Sequence, residues 1–241
     1  MITGTSEYSG LLERRLSNFS LNNKIISGSP GAVRNLEFPA AEMIASDEMG
    51  SGHLWVLESG YGFTVSILPD GRRHISDLFG PGAICNWTTF RAPKVRMNFM
   101  FVGGSNVNLL DGEELVAAFR EQPQLQATIG RHEMARTLRT AQRTRALIAL
   151  PGPDRMMTLL LDFRSEAGAA GLPKDPVRIP LRQGELGEFI GQTEVHVSRV
   201  LKSLKESDRI ATWRDGFEIL DPESEIRRLD YVDPFASGLH G

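Results

Sequence analysis

The sequence predicts an α+β protein in which a β-rich domain, one long helix and a small helical domain follow one another. Residues 41–110 carry short apolar runs bounded by Gly, Pro and Asp, a pattern typical of a β-sandwich or barrel. Residues 111–149 change to a helical period. Residues 183–221 then combine two short helical stretches with a compact hairpin pattern, which indicates a second, smaller domain.

The composition limits the possible classes of protein. The chain has 241 residues, a length that suits two small domains better than one large domain. No apolar run reaches the ~18 residues of a transmembrane helix, and the first residues contain no apolar core of signal-peptide length. We therefore expect a cytoplasmic protein without a membrane partner. The net charge of −3 means that any contact with nucleic acid must come from a local patch.

Candidate reactive residues are few. Cys85 is the single cysteine, so the sequence excludes a disulfide framework, a four-cysteine iron–sulfur cluster and a cysteine-rich zinc site. Its apolar surroundings favour a small buried hydrophobe, with a redox centre or a haem ligand as the alternatives. The histidines show no HExxH spacing: they are His53, His74, His132, His196 and His240. Since P-loop, GxGxxG and GxSxG motifs are also absent, we expect no cofactor, no metal and no enzymatic activity.

The first 122 residues divide into two parts. Residues 1–40 combine a short amphipathic stretch with the loop-like NNKIISGSPGA, which predicts an N-terminal helical and connector segment. The apolar positions of the stretch are Leu11, Leu12, Leu16 and Phe19. Residues 41–122 form the predicted β domain, in which LPDGR is a tight-turn signal between two hairpin strands, FTVSIL and HISDLF.

A long helix is predicted over residues 123–150, after a shorter helix that Asp111 caps. Four of its apolar residues follow a 4-3 spacing that Arg145 interrupts: Met134, Leu138, Ala141 and Ile148. This spacing is compatible with the seam of a short coiled-coil dimer, and a helix packed on its own domain is the alternative. We interpret the arginines of the helix as mostly a solvated face: Arg131, Arg136, Arg139, Arg143 and Arg145.

The sequence PGPD at 151–154 breaks the long helix and is the best candidate for a hinge. After a further helix, RMMTLLLDFRSEAG, the stretch GELGEFIG predicts a short helix that ends at Gly191. Thr193 is a good N-cap for the next helix, EVHVSRVLKSLKES. Two such helices joined by a short Gly-containing turn are the signature of a helix-turn-helix. IATW, RDG and FEIL then form a compact hairpin, the wing.

The second helix of this motif has two faces. The inward face is predicted to consist of Val197, Val200, Leu201 and Leu204. The outward face carries Val195, Ser198, Arg199 and Lys202. On a recognition helix, Arg199 can bond O6 and N7 of guanine, and Lys202 is better placed to meet a phosphate. An ordinary amphipathic surface helix is the alternative. The candidate DNA-contacting residues are Thr193, Glu194, Val195, His196, Ser198, Arg199 and Lys202.

Two stretches resemble one known family of regulators. TEVHVSRVLKSL, followed by RI and the wing, resembles the recognition helix of the CRP/FNR family, and SGYGFTVSILPDGRRHISDLFGPGAI resembles its effector domain. The resemblance covers residues 50–221. It implies an N-terminal β-roll or jelly-roll sensor domain, a long dimerisation helix and a C-terminal winged helix-turn-helix. It also implies a homodimer that binds an inverted-repeat operator in double-stranded DNA and recruits or blocks RNA polymerase.

The sequence departs from the family pattern in two places, the recognition helix and the stretch that binds cyclic nucleotides in some members. Val195 stands where the recognition helix often carries a Glu, so the operator is expected to differ from the common one. Trp87 stands near the position of the Glu that binds ribose in cyclic-nucleotide-binding members. Cyclic-nucleotide-binding members hold the phosphate with an Arg-Ser pair. Arg91 and Arg96 are present here, but neither is followed by Ser. We therefore expect that cyclic AMP does not control this chain, and the effector is unknown.

Under this resemblance the chain has five parts. They are an N-terminal helical and connector segment at 1–40, a cyclic-nucleotide-binding-like β-roll at 41–122, a dimerisation helix at 123–150, a winged helix-turn-helix DNA-binding domain at 151–225 and a C-terminal tail at 226–241. For His53 and His74 two alternatives stay open: haem binding, or an ordinary surface or packing role. A rival function is a ligand-sensing module that acts through protein contacts, which would favour apolar or aromatic anchors on the outward face.

Overall fold

The computed structural model describes residues 9–20, 32–48, 52–213 and 216–236. The fold is α+β, as the sequence predicts, with a sheet domain first and a helix-turn-helix near the C-terminus. The connector predicted at residues 21–31 and His240 lie outside the described residues. None of the described helices is both long enough and apolar enough to cross a membrane.

Two antiparallel sheets form the first half of the chain. Their strands, among the described residues, are β1 (Ala32–Phe38), β2 (Glu42–Ala45), β3 (His53–Ser59), β4 (Gly62–Ile67), β5 (Arg73–Phe79), β6 (Asn98–Phe101) and β7 (Ser105–Asp111). One sheet has the order β1-β7-β3 and the other the order β2-β6-β4-β5. A core that includes Trp55, Phe79, Phe99 and Phe101 lies between them, so this half is a β-roll.

The hairpin of β4 and β5 confirms the turn predicted at LPDGR. The Leu68 N–H donates to the Arg72 carbonyl at 2.8 Å, and Gly71 has a φ of +83°, which residues with a Cβ rarely adopt. The expectation of a connector up to residue 40 is wrong, because β1 pairs along its length with β7. Only Phe38 of this edge strand is buried, so the strand lacks the apolar alternation by which strands are recognised.

Among the described residues, four helices accompany the β-roll: α1 (Ser9–Ser17), α2 (Trp87–Arg91), α3 (Gly112–Glu121) and α4 (Pro123–Ala149). The amphipathic stretch predicted near the N-terminus is α1, and its Leu12 and Leu16 are buried in a core shared with α3 and α4. The Asp111 carboxylate accepts hydrogen bonds from the first turn of α3, which confirms the predicted cap. The long helix ends at Ala149, directly before the predicted breaker Pro151.

The second half of the chain forms a winged helix. Its elements are α5 (Gly152–Ala169), β8 (Val177–Arg178), α6 (Gln183–Ile190), α7 (Glu194–Glu206), β9 (Ile210–Trp213), β10 (Gly216–Ile219) and α8 (Pro222–Leu229). Phe163 of α5 and Phe189 of α6 lie in one core with Phe63 of β4. The two halves therefore pack directly against each other.

The arginines of α4 depart most from the sequence-based interpretation. Arg139 is completely buried and Arg143 is 5% exposed, so the interpretation as a solvated face is wrong for them. Arg139 pairs with Asp77 at 2.7 Å and also with Glu166. Arg143 donates to Asp162 at 2.7 Å. Because these arginines are four residues apart, both lie on the helix face that packs against β5 and α5.

Helix α1 completes this buried ion network. Arg15 donates to the Glu166 carboxylate at 2.6 Å and to Nε2 of His132 at 2.9 Å. Since Nε2 accepts this bond, the hydrogen of the neutral imidazole is on Nδ1, which faces Glu133 at 2.9 Å. Burial lowers the pKa of His132 and keeps the ring neutral. The network thus joins α1, β5, α4 and α5 through groups removed from water.

Cys85 lies inside the β-roll, 3% exposed. Burial raises the pKa of its thiol to about 12, so the group stays protonated at neutral pH. This agrees with the interpretation of Cys85 as a small buried hydrophobe.

Candidate nucleic-acid interface

Helices α6 and α7 meet at a tight turn. α6 ends at Gly191, whose φ of +65° places it in the left-handed region, so the predicted helix end is confirmed. Gly187 lies against the carbonyl oxygen of Gln192, and a Cβ at this position would come within 2.3 Å of that oxygen. Glycine therefore suits position 191 because of its left-handed backbone, and position 187 because the chain at Gln192 approaches it closely.

The start and the buried face of α7 also agree with the prediction. The Thr193 hydroxyl accepts from the His196 backbone N–H at 3.4 Å and lies 2.8 Å from Nδ1 of the same residue. The buried positions of the helix are Val197, Val200, Leu201 and Leu204. They fix the rotation of α7 about its axis, because this face packs on α5 and α6.

The opposite face of α7 is open to solvent. Its exposed residues include Glu194, Val195, His196, Ser198, Arg199 and Lys202. Within the described part of the chain, the Arg199 guanidinium makes no hydrogen bond or ion pair, so its N–H donors are available to a ligand. Lys202 lies 3.7 Å from the exposed carboxylate of Glu206, a weak surface pair that a phosphate can replace.

The N-terminal end of α7 lies at this exposed face. The helix dipole favours an anion at that end, and the carboxylate of Glu194 in the first turn opposes it. Val195, 60% exposed, places an apolar surface beside these polar groups. A face of this kind can bond base edges, contact a thymine methyl and hold phosphates.

The predicted wing is a hairpin beside α7. β9 and β10 pair in antiparallel register, and β8 adds a third strand along β10. Gly216 permits this contact, since a Cβ there would lie 2.0 Å from the Val177 carbonyl oxygen. Trp213 is 53% exposed at the end of β9 and donates through Nε1 to Glu218 at 2.9 Å.

A partly exposed ion cluster fixes the wing to the start of α5. Arg209, which follows α7, donates to Glu225 at 2.6 Å and to Asp154 at 3.2 Å. Arg228 of α8 pairs with the same two carboxylates. Partial burial raises the pKa of Asp154, but hydrogen bonds from Arg228 and Arg209 outweigh it and hold the pKa below its ordinary value.

The residues of the predicted dimer seam form an exposed face of α4. Met134 is 58%, Leu138 41% and Ile148 79% exposed, and Ala141 is exposed as well. The other face of the helix is buried and includes Leu125, Ile129, Ala135 and Ala146. A single helix therefore carries one stripe against its own chain and a second, uncovered apolar stripe.

A cavity of about 450 Å³ lies between the β-roll and α4. Six of its lining residues carry hydroxyl groups: Thr64, Ser76, Thr88, Thr137, Thr140 and Thr144. The buried Thr64 hydroxyl has no partner among the described residues. Arg136, which also lines the cavity, is already paired with Asp77 at 2.6 Å and with Glu133 at 3.0 Å. The cavity thus offers hydrogen-bonding groups, but its one lining arginine is neutralised.

The two arginines named in the sequence as possible phosphate ligands lie elsewhere. Arg91 stacks on the Trp87 ring, 5.6 Å from its centroid, and Arg96 pairs with Asp47 at 3.5 Å. Neither lines the cavity. Sequence reasoning also missed the buried partners of the α4 arginines. The available signal was the pair Asp162 and Glu166, four residues apart on a helix that is rich in apolar residues.

Comparisons with known proteins agree with this architecture. Residues 154–224 match the family model of the Crp-like helix-turn-helix domain. The nitrogen fixation regulation protein FixK of Bradyrhizobium diazoefficiens is 26% identical over 193 residues, which span 78% of this chain and 79% of that protein. FixK of Azorhizobium caulinodans is 24% identical over 188 residues, 78% of this chain and 75% of that protein. The structure of FixK2 from Bradyrhizobium japonicum superposes with a TM-score of 0.66 at 16% identity, covering 82% of this chain and 95% of that one.

A β-roll followed by a winged helix with an exposed, partly cationic second helix defines a DNA-binding regulator and not an enzyme. The comparisons support a transcription regulator of the CRP/FNR type, and residues 154–224 are its Crp-like helix-turn-helix, the DNA-binding domain. The rival function, a module acting through protein contacts alone, is not favoured. The outward face of α7 carries polar and charged groups where such a module would carry aromatic anchors.

Proposed function

We propose that the chain reads a specific operator through the outward face of α7. The observation that carries this proposal is the exposed Arg199 guanidinium, which has no partner within the described part of the chain. Arg199 can bond O6 and N7 of a guanine, while Lys202 meets a phosphate and Val195 contacts a thymine methyl. The full set of proposed DNA-contacting residues is Thr193, Glu194, Val195, His196, Ser198, Arg199 and Lys202.

A second copy of the chain is proposed to cover the apolar stripe of α4. The stripe consists of Met134, Leu138, Ala141 and Ile148, and large apolar side chains exposed on one helix face mark an interaction surface. A two-fold axis parallel to α4 would place both recognition helices at the same end of the dimer, whereas an antiparallel pairing of the two α4 helices would place them at opposite ends. The homodimer would then bind an inverted repeat with half-sites about 34 Å apart.

The parts of the chain are proposed to divide the work as the sequence suggests. The sensor consists of residues 41–122 and of β1 before them. The dimerisation helix is residues 123–150, and the DNA-binding domain is residues 151–225. A regulator of this kind acts in the cytoplasm, where the chromosome lies, and we propose RNA polymerase as its protein partner.

The cavity between the β-roll and α4 is the proposed effector site, for a small polar ligand without a phosphate. Its hydroxyl groups, including the unpartnered Thr64, can bond such a ligand. A phosphate would need a free cation, and Arg136 already serves two carboxylates. Cyclic AMP therefore does not control the chain under this proposal.

Operator selection from a random duplex pool tests the proposal with the full chain. A palindromic consensus is expected for the wild type, and Arg199→Ala should lose preference at one symmetric pair of positions. Lys205→Ala is the matched control, because Lys205 is an exposed cation in the last turn of the same helix. Unchanged preference in Arg199→Ala, or enrichment of no sequence by the wild type, would refute base readout by α7.

A further inference from the structure

The last described residues leave the winged helix and run back along α4. The side chain of Gln142 holds Val232 by two hydrogen bonds, donating to its carbonyl at 2.8 Å and accepting from its N–H at 2.7 Å. Arg145 donates to the Asp230 carbonyl at 3.0 Å and pairs with its carboxylate at 3.1 Å. Residues 230–236, which we term the C-terminal latch, thus lie along the helix.

The latch places Phe235 in a cage of cationic and aromatic groups. The ring centroid lies 4.8 Å from the guanidinium carbon of Arg15 and 5.1 Å from that of Arg139. The rings of Phe19 and His132 stand 6.1 Å and 5.5 Å away. Phe235 is 3% exposed, so its ring covers the buried arginines where water would otherwise reach them.

Polar contacts turn the chain toward this cage. The Tyr231 hydroxyl donates to Asp162 of α5 at 3.0 Å. Asp233 accepts from the Ser165 hydroxyl and from the Phe235 backbone N–H, the latter at 3.0 Å. The latch is therefore held by specific side chains along its whole described length.

The structure assigns to the C-terminal latch the role of coupling the DNA-binding domain to α1 and α4. Its anchors on α4 reach from Arg145 to His132, which is roughly 20 Å of helix at about 1.5 Å per residue. Because α1 and the segment after it supply Arg15 and Phe19, the cage joins the extreme N-terminal part to the chain that follows α8. Orientation of α7 relative to the dimer helix then depends on residues that touch neither DNA nor the effector cavity.

Hydrogen exchange of the full-length protein tests the coupling without DNA. Phe235→Ala should speed amide exchange in α1 by about tenfold, because the cage loses its filling ring. Phe235→Leu, which keeps an apolar side chain but no aromatic face, should give a smaller increase. Val232→Ala is the control: its side chain is 60% exposed, and its backbone bonds to Gln142 remain. If the exchange rate in α1 is the same in the wild type and in all three variants, the proposed coupling through the latch is refuted.

A DNA-binding measurement tests its consequence and rests on the proposed function. Phe235→Leu should weaken binding to the full inverted repeat about three- to tenfold. Without the latch, the DNA-binding domain is no longer held in its orientation relative to α4, and fixing that orientation on binding costs free energy. Binding to a half-site duplex should not change, since a half-site is bound by one DNA-binding domain and does not depend on how two domains are oriented. Equal weakening on both duplexes would indicate damage to α7 itself and refute the coupling. If the wild type binds neither duplex, the proposed function fails, and the exchange measurement still decides on the latch.

Discussion

Replacement of Glu166 by glutamine should lower the free energy of unfolding by about 3 kcal/mol. Glu166 is completely buried in α5, and its carboxylate accepts from Arg15 at 2.6 Å, from the Gly80 N–H at 2.8 Å and from Arg139. Glutamine has nearly the same size but no charge. Its amide nitrogen would face a guanidinium, and two buried arginines would lose their shared counter-charge.

The magnitude follows from the pKa of the carboxyl group. Burial alone would raise this pKa, but the charges of Arg15 and Arg139 outweigh burial and lower it from 4.5 to about 2. The difference, 4.5 minus 2, corresponds to about 3 kcal/mol at ~1.4 kcal/mol per pH unit. Breaking buried ion pairs costs about 3–5 kcal/mol in general, a similar amount. Because the pKa is lower in the folded state, this stabilisation is complete above pH 4.5 and is lost as the pH falls toward 2.

Urea denaturation at pH 7 and at pH 3 measures the effect. The difference between wild type and Glu166→Gln should be about 3 kcal/mol at pH 7 and clearly smaller at pH 3, where part of the wild-type advantage has been lost. Glu223→Gln, on the exposed face of α8, is the matched control and should stay within about 0.5 kcal/mol of wild type. A difference under about 1 kcal/mol at pH 7, or the same difference at both pH values, would contradict the reasoning.

Three further predictions concern DNA, assembly and the effector. Arg199→Ala should cost about 1–3 kcal/mol at one operator position, whereas Lys202→Ala should weaken all sequences alike and flatten the salt dependence in gel-shift titrations. Equal losses on all sequences for Arg199→Ala would argue against base contact. Leu138→Asp should give monomers with poor operator affinity in light-scattering and gel-shift measurements, and an unchanged dimer would move the interface elsewhere. Titration calorimetry should find no micromolar binding of cyclic AMP or cyclic GMP, and such binding with a shift in operator affinity would disprove a phosphate-free site.

The helix-turn-helix could be predicted nearly residue by residue because its determinants are local. Gly191 ends α6 through its own backbone conformation, and Thr193 caps α7 through a contact three residues away. The inward and outward faces of α7 follow from helical period alone. The β4–β5 turn at LPDGR was predictable for the same reason, since Pro and Gly act on their own dihedral angles.

The buried network could not be predicted in this way because its partners are distant in sequence. Arg139 and Glu166 are separated by the break at Pro151, and Arg15 lies far upstream of both. Arginines that recur every four residues on a helix normally indicate an exposed face. Only knowledge of the acidic side chains opposite them would have predicted a buried face. β1 was missed for a related reason: its pairing with β7 stabilises a strand whose own side chains are mostly exposed.

Helix α4 departs in part from the usual rule that apolar residues point inward and charged residues outward. Arg139 and Arg143 face the interior of their own chain, while Met134 and Ile148 face solvent. The inward arginines are paired with buried carboxylates, which fix the rotation and position of α4 on the β-roll. That rotation leaves the apolar stripe exposed, and we propose that a second copy of the chain covers it. The ion pairs that the sequence-based interpretation missed therefore determine which face of α4 stays open for the proposed dimer.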